Sequence, residues 1–308
     1  MVRTAHDYSL CGWRVRSEWP LPELVAWTGD DRAPDISIRR GDVPDELDGI
    51  TARTPLVQVN AQGWLRYTVR NVATYLVRGG NEVIIDTPHS PDTADVALFL
   101  LGSVLGFLCH QRGLLPLHAS CVALNGKVFA MAGHSGAGKS TLAALLLAQG
   151  ARLLSDDVTV IDLRAEGGAR VLPTYPRQKM WRDTLDTLGI APGRYLRSTV
   201  HLEKFDRQVA DRFESAPMRL DGVCQIHLQM RENSLRIAPL DGLAAVRMLY
   251  ENVYRRTAAG LLGRSEQVFA DCAALSAQLP HRALILPNGI DRLARHGGEL
   301  AALLAQSR

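Results

Sequence analysis

Hydrophobic and polar positions alternate over short stretches in the first third of the chain. Each such stretch predicts a half-buried β-strand, because successive side chains of a strand point to opposite faces. The four segments are residues 35–39, 64–69, 73–77 and 82–85. Gly79-Gly80-Asn81 separates the last two and predicts a hairpin turn. We therefore expect residues 1–92 to form a β-rich N-terminal region.

A continuous apolar segment at residues 96–109 follows this region. It is shorter than the roughly 20 residues that a membrane-spanning helix needs, and it contains Gly102 and Gly106, so we interpret it as a buried helix. A second hairpin follows, in which Asn125-Gly126 joins two apolar strands. If these two residues form the turn, Leu124 pairs with Lys127, and the register carried outward places His118 opposite Gly133.

Beyond the second hairpin, helical and strand patterns alternate. Helices are predicted from Lys139 to just before Gly150 and at 243–262, 265–279 and 290–306, and strands at 151–155, 158–163, 223–229, 235–237 and 283–286. This alternation indicates an α/β fold. We expect residues 93–308 to form one α/β domain.

Charge and cysteine content exclude several classes of protein. The chain has 35 basic and 32 acidic residues, a formal charge of +3, without the blocks of like charge that nucleic-acid-binding tails carry. Its 5 cysteines are odd in number and lack Cys-x-x-Cys spacing, which argues against a disulfide framework and structural zinc. The first ten residues do not form a secretory signal. We expect a cytoplasmic protein with neither a nucleic-acid nor a membrane partner.

One glycine-rich segment has the spacing of a phosphate-binding loop. It consists of Gly133, His134, Ser135, Gly136, Ala137, Gly138, Lys139, Ser140 and Thr141, and it lies between a predicted strand and a predicted helix. In such loops, backbone N–H groups surround phosphate oxygens, the lysine reaches the β and γ phosphates, and the serine binds Mg²⁺. This context outweighs a chance glycine-rich turn, so we predict that the chain binds ATP and Mg²⁺.

Asp156-Asp157 ends the strand that follows this helix, and in α/β sheets ligands bind beyond the carboxyl ends of strands. Adjacent strand residues point to opposite faces, so one of the two aspartates is predicted to hold the metal while the other accepts a proton from an attacking hydroxyl. An acidic turn or helix cap is the alternative. Asp162, at the end of another apolar run, is a second candidate for the metal ligand.

Three further residues are candidates by position. His118 is either structural or, through the hairpin register, a side chain that contacts phosphate or positions the proton acceptor. Arg177 and Lys179 lie in an aromatic and basic segment that we predict to be a loop. They either contact the substrate or the transferring phosphate, or they belong to a solvated surface.

Three segments together resemble the catalytic half of the bacterial HPr kinase/phosphorylase family: residues 117–120 (LHAS), 132–141 (AGHSGAGKST) and 154–157 (LSDD). The resemblance implies a P-loop kinase domain in which His118 is the active-site histidine, Lys139 the phosphate-loop lysine and Ser140 a magnesium ligand. Asp157 would take the proton from a substrate serine, with Asp156 assisting at the metal. HPr kinases assemble as hexamers, which leaves a homo-oligomer open.

The glutamate- and arginine-bearing signature segment of that family is absent, and residues 175–181 (YPRQKMW) occupy its place. With this segment the chain looks more like the HPr-kinase-like enzymes that phosphorylate lasso-peptide precursors, typically at a C-terminal serine. The resemblance thus implies a serine kinase for a peptide or small protein. Alternatives are a P-loop ATPase, a nucleotide-binding module without kinase activity, and a kinase of a small-molecule hydroxyl.

Overall fold

The structure, a computed structural model, describes residues 5–87, 93–196, 204–229 and 234–306. It divides into two compact units, Met1–Pro116 with Tyr254–Val268, and Leu117–Val253 with Phe269–Arg308. The boundary predicted between residues 92 and 93 differs from this division, because the apolar helical run after residue 92 groups with the first unit. The elements confirm a mixed α/β fold.

Nine strands of the described chain form the sheet of the first unit: β1 (His6–Leu10), β2 (Trp13–Ser17), β3 (Val25–Ala26), β4 (Ile36–Arg40), β5 (Ile50–Arg53), β6 (Val57–Asn60), β7 (Leu65–Val69), β8 (Ala73–Arg78) and β9 (Glu82–Asp86). Their order across the sheet is β3-β1-β2-β4-β9-β8-β7-β6-β5. All four strands predicted here are confirmed. The turn between β8 and β9 also forms, with Gly79 and Gly80 at φ of 57° and 70°.

The apolar segment forms one helical run: α1 (Thr93–Phe99), a π-helical stretch (Leu100–Val104) and α2 (Leu105–Gln111). By length and composition alone Ala94–Gln111 could cross a membrane, yet 72% of it is buried in the described structure, as in a core helix. A Cβ on Gly106 would lie 2.8 Å from Cδ1 of Tyr254. A glycine is therefore required where this tyrosine packs, and the predicted buried helix is confirmed.

The other elements follow in chain order. The strands are β10 (Leu115–Leu117), β11 (Ala119–Leu124), β12 (Lys127–Ala132), β13 (Arg152–Ser155), β14 (Thr159–Asp162), β15 (Arg170–Leu172), β16 (Arg177–Trp181), β17 (Arg194–Leu196), β18 (Lys204–Gln208), β19 (Met218–Arg219), β20 (Gly222–Gln229), β21 (Arg236–Pro239) and β22 (His281–Pro287). The helices are α3 (Lys139–Ala148), α4 (Arg182–Thr187), α5 (Gly242–Glu251), α6 (Arg256–Leu261), α7 (Ser265–Gln278), α8 (Ile290–Ala294) and α9 (Gly297–Gln306), with a 3₁₀ turn at Ala210–Arg212.

The second unit is built on a mixed sheet whose described strands run in the order β13-β11-β12-β20-β22-β21. Strands β12, β20 and β22 are parallel, so their carboxyl ends meet at one edge. The predicted hairpin joins β11 to β12: Leu124 pairs with Lys127 and Ala119 with Ala132. Asn125 and Gly126 have φ of 50° and 77°, as a two-residue hairpin turn requires. This register directs residue 118 toward residue 133.

Helix α3 packs its apolar side chains into the core of the second unit, beside Phe129, Met131 and Leu284. Its predicted end is confirmed in detail. The N–H of Gly150, at φ of 94°, donates to the carbonyl of Leu147, and the N–H of Ala151 donates to that of Leu146. This Schellman arrangement satisfies the terminal carbonyls, reverses the chain and starts β13, which places the aspartate pair beside the phosphate-binding loop.

Two predicted helices are wrong in their continuity. Residues 243–262 form α5 and α6, because Asn252 and Val253 leave the helix: the Asn252 carbonyl accepts from the N–H of His118, and Val253 forms a β-bridge with Leu117. Residues 290–306 form α8 and α9, which begins at Gly297. Glycine is a poor helix residue, and Gly297-Gly298 marks this break.

The loop predicted at residues 175–181 is also wrong over most of its length. Residues Arg177 to Trp181 form β16, which pairs antiparallel with β18. The partner strand lies more than 20 residues further along the chain, so its long-range pairing was not visible in the local pattern. Both Arg177 and Lys179 are therefore held on a strand.

Candidate active site

The phosphate-binding loop connects β12 to α3, as predicted. Gly136 and Gly138 have φ of 85° and 90°, which side-chain-bearing residues rarely adopt. Nothing lies within 4 Å of a Cβ built on either glycine, so the backbone conformation and not the space requires glycine there. Ala137 is buried, whereas His134 and Ser135 are exposed on the loop. Lys139 and Ser140 open α3, whose N-terminus favours an anion.

The ammonium group of Lys139 is held by the loop and by the predicted histidine. Its Nζ lies 2.7 Å from the carbonyl oxygen of Gly133 and 3.1 Å from that of His134. It also lies 3.0 Å from Nε2 of His118. A lysine can only donate, so Nε2 accepts and the proton of this imidazole sits on Nδ1.

The protonated Nδ1 of His118 points toward Asp157. It lies 3.0 Å from the backbone carbonyl oxygen of Asp157 and 3.3 Å from its Oδ1. The structure thus brings His118 to the site, linking Lys139 to Asp157. Of the two sequence-based roles, this contact favours positioning of the acid.

Asp157 carries its carboxylate into the cavity, with its side chain 21% exposed. The Nζ of Lys179 lies 2.8 Å from Oδ2. Burial by itself would raise the pKa of Asp157, but the charge of Lys179 and the hydrogen bonds from His118 and Lys179 hold the pKa well below its usual value. The residue also has a φ of 75°, an uncommon conformation outside glycine that often marks functional sites.

Asp156 points the other way and is buried. Its Oδ1 accepts hydrogen bonds from the hydroxyls of Ser120 and of Ser140, the latter at 2.9 Å, and its Oδ2 accepts from the N–H of Lys179 at 2.9 Å. Burial raises the pKa of Asp156. The two neighbouring acids therefore differ in environment and in the direction of their pKa shifts.

A cavity of about 240 Å³ lies over these groups. One end of the cavity contains His118, Lys139, Asp157 and Lys179. The rest of its wall comes from three places: the loop and first turn of α3 (Ser135, Gly136, Gly138, Ser140, Thr141), the end of β16 and start of α4 (Met180, Trp181, Asp183, Thr184), and the carboxyl ends of β20 and β22 with α8 (Leu228, Pro287, Asn288, Gly289, Ile290, Leu293). All of these residues belong to the second unit. Lys139, Lys179 and the N-terminus of α3 give this space a positive character, which suits a phosphate group.

Comparison with known proteins gives a distant likeness among solved structures. No family model and no curated protein matches the chain. Among solved structures, the HPr(Ser) kinase/phosphatase from Coxiella burnetii is similar at 13% sequence identity and a TM-score of 0.30, over 62% of this chain and 99% of that one. A likeness at this TM-score carries no functional conclusion, so the site itself has to supply one.

The predicted magnesium ligands are compatible with that ion. No cluster of three or more His, Cys, Asp or Glu side chains in the described part of the chain could hold a metal. Magnesium at a phosphate loop does not need one, because it binds one or two protein oxygens together with phosphate oxygens and water. Ser140 Oγ and Asp156 Oδ1, 2.9 Å apart beside the cavity, are such a pair of oxygens.

Two predicted candidates lie outside the cavity. Arg177 is buried and forms an ion pair with Asp206, so its guanidinium faces the strand pair and not the site. Asp162, the rival metal ligand, ends β14 and accepts from the N–H of Arg164 at 2.9 Å, as a turn residue does. Of the two basic residues Arg177 and Lys179, only Lys179 lines the cavity.

Sequence reasoning assigned no role to Ser120, Trp181 or Asp183. Ser120 could have been found from the hairpin register, because it lies on β11 next to the end of the hairpin where that register places His118. Trp181 and Asp183 had no such signal, since their position depends on the pairing of β16 with β18.

Proposed function

We propose that this chain is a kinase that transfers the terminal phosphoryl group of ATP to a hydroxyl group of an acceptor. The position of Asp157 is the observation that supports this most directly. The Asp157 carboxylate lines the same end of the cavity as Lys139 and contacts His118 and Lys179. An acid there is suited to orient an attacking hydroxyl, a part that pure nucleotide binding does not require.

In the proposed reaction, the acceptor hydroxyl donates a hydrogen bond to the ionised Asp157. Its oxygen forms a bond to the terminal phosphorus as the bond to the bridging oxygen breaks, ADP leaves, and the hydroxyl proton passes to Asp157. Lys139 and Lys179 supply positive charge to the phosphate oxygens, and His118 keeps Asp157 and Lys139 in place. Phosphoryl transfer needs chiefly such positioning and charge stabilisation.

Magnesium, when bound by Ser140 and Asp156, would neutralise charge on the β and γ phosphates. Asp156 suits this role because it is fixed by three hydrogen bonds before any ligand arrives. Its buried position leaves the acceptor side of the cavity to Asp157.

For the acceptor, we propose a serine of a peptide or small protein, with a lasso-peptide precursor phosphorylated at its C-terminal serine as the specific candidate. This finer proposal rests on the sequence resemblance carried by residues 117–120, 132–141, 154–157 and 175–181. We place this reaction in the cytoplasm, where both ATP and a newly made precursor are present.

The test is mass spectrometry of the purified protein incubated with Mg-ATP and a lasso-peptide precursor that ends in serine, with free serine and glycerol as small-molecule acceptors. We expect one phosphate to be added to a serine of the peptide. Asp157→Asn should abolish transfer while nucleotide still binds, and Asp162→Asn, which removes the same charge outside the cavity, should leave transfer intact.

ATP hydrolysis without a phosphorylated acceptor would support the ATPase alternative, and labelled glycerol or serine would point to a small-molecule kinase. Equal loss of nucleotide binding and transfer in Asp157→Asn would show that the assignment of Asp157 as the proton acceptor is wrong.

A further inference from the structure

The cavity extends beyond the groups that the proposed reaction uses. Its wall continues past Lys179 to Met180, Trp181, Asp183 and Thr184, at the end of β16 and the start of α4. Trp181 is half-buried, and Asp183 is exposed toward solvent. An aromatic ring and a carboxylate beside a phosphate site suggest that this end receives the part of a ligand that is not phosphate.

The course of β16 relates this end to the reacting end. Lys179 and Trp181 are two residues apart on one strand, so their side chains leave the same face, about 6.6 Å apart at a rise of roughly 3.3 Å per residue. Lys179 contacts Asp157, where the terminal phosphate is transferred. Trp181 therefore leaves β16 one strand repeat beyond Lys179, on the face from which Lys179 reaches Asp157.

The phosphate-binding loop leads to the same place. From Lys139 the first turn of α3 continues to Thr141, whose Oγ1 lies 3.3 Å from Oγ1 of Thr184. A polyphosphate whose terminal group is at Lys139 and whose chain follows this turn ends beside α4. Asp183 precedes Thr184 directly and lines the same cavity.

We propose that Trp181 and Asp183 form the nucleoside subsite of this cavity, with the indole ring stacked on the nucleobase and the Asp183 carboxylate accepting hydrogen bonds from the ribose hydroxyls. This proposal rests on the nucleotide binding proposed above. Stacking suits any base because every base has a π face, and an ionised carboxylate is an acceptor for the donor hydroxyls of ribose. Met180, Ile290 and Leu293 give this end apolar walls.

The test compares ligands that share phosphates and differ in the nucleoside. Isothermal titration calorimetry of the full chain with ADP, 2′-deoxyADP, 3′-deoxyADP and inorganic pyrophosphate, each with Mg²⁺, measures the dissociation constants. We expect Trp181→Ala to weaken ADP about tenfold and to leave pyrophosphate unchanged, as loss of one stacking contact implies. Trp181→Phe should retain most of the affinity for ADP.

Asp183→Asn tests the ribose contact. Wild-type protein should bind ADP more tightly than at least one of the two deoxy analogues, by about tenfold for a hydrogen bond to a charged group. Asp183→Asn should remove that preference and leave pyrophosphate unchanged. Asp186→Asn is the matched control, because it removes the same charge from the same helix at an exposed residue outside the cavity wall.

The outcomes separate this inference from the proposed function. If wild-type protein binds neither ADP nor pyrophosphate, the nucleotide site itself is misassigned. The same conclusion follows if Lys139→Met binds either ligand as tightly as wild type does. If Lys139→Met weakens both ligands but the Trp181 and Asp183 variants bind ADP and its deoxy analogues as wild type does, the nucleoside lies elsewhere and this inference is overturned. Loss of pyrophosphate binding in these variants would likewise overturn it.

Discussion

Replacing Arg177 tests whether this residue serves the fold or the substrate. Its guanidinium is paired with Asp206, and the two side chains are only 10% and 9% exposed. A variant that removes one member of a buried ion pair leaves the other charge desolvated and unpaired, which costs about 3–5 kcal/mol. We expect Arg177→Met to lower the free energy of unfolding by about that amount, a large share of the roughly 5–15 kcal/mol that stabilises a typical domain.

The double variant Arg177→Met/Asp206→Leu isolates the cause. With both charges removed and apolar volume in their place, no desolvated charge remains, and replacing a buried pair in this way is often neutral or stabilising. The double variant should therefore be more stable than Arg177→Met. The single variant Asp206→Leu completes the cycle, from which we expect a coupling energy of about 3 kcal/mol between the two positions.

The assay is urea denaturation followed by circular dichroism at neutral pH. Arg247→Met is the matched control, because Arg247 pairs with Glu251 on an exposed helix face, and its loss should not move the midpoint measurably. Folded Arg177→Met protein should still bind ADP, since Arg177 does not line the cavity. Wild-type stability together with lost ADP binding or transfer would refute this reasoning and return Arg177 to the substrate role suggested by the sequence.

Two further predictions concern protonation and the metal site. Burial lowers the pKa of His110 to about 4 from an unfolded value of 6.5, so its contribution to stability is complete above pH 6.5 and falls by about 3 kcal/mol as the pH drops from 6.5 through 4. In thermal unfolding between pH 7 and 4, the His110→Gln variant should therefore lose less stability than the wild type, and an equal loss in both would contradict the low pKa of His110. Ser120→Ala removes a hydrogen bond to Asp156, and loss of a group that supports a metal ligand should raise the Mg²⁺ concentration for half-maximal transfer about tenfold. An unchanged Mg²⁺ requirement would argue that Asp156 does not bind the metal.

Local signals explain which parts of the fold could be predicted. The Asn125-Gly126 turn and the helix-ending Gly150 are set by the φ angles that these residues adopt, and such constraints are visible in the sequence itself. One confirmed turn fixes the register of the whole β11–β12 hairpin, and this register predicts His118 at the end of the hairpin opposite Gly133. The strand–loop–helix arrangement around residues 133–141 was predictable for the same reason, because its glycines, lysine and serine are contiguous.

The features that escaped prediction depend on distant pairing. The strand character of residues 177–181 comes from pairing with β18. The break between α5 and α6 comes from the hydrogen bond of Asn252 with His118 and the β-bridge of Val253 with Leu117. In both cases tertiary contacts override a local pattern, which a single sequence does not display. Arg177 and Lys179 looked equivalent for this reason, and both leave the same face of β16. Arg177 pairs with Asp206 of the neighbouring strand, whereas Lys179, one strand repeat further on, reaches Asp157.

Asp156 and Asp157 are identical neighbours in sequence, and backbone geometry gives them different chemistry. Asp156 continues from β13 into the interior, where burial raises its pKa and three donors hold it in place. Asp157, at a φ of 75°, turns into the cavity, where Lys179 and His118 keep its pKa low despite burial. A fixed, buried carboxylate suits a metal ligand, and an ionised one facing the cavity suits the acceptor hydroxyl. The division of roles proposed for the pair thus follows from where the chain turns, not from the identity of the side chains.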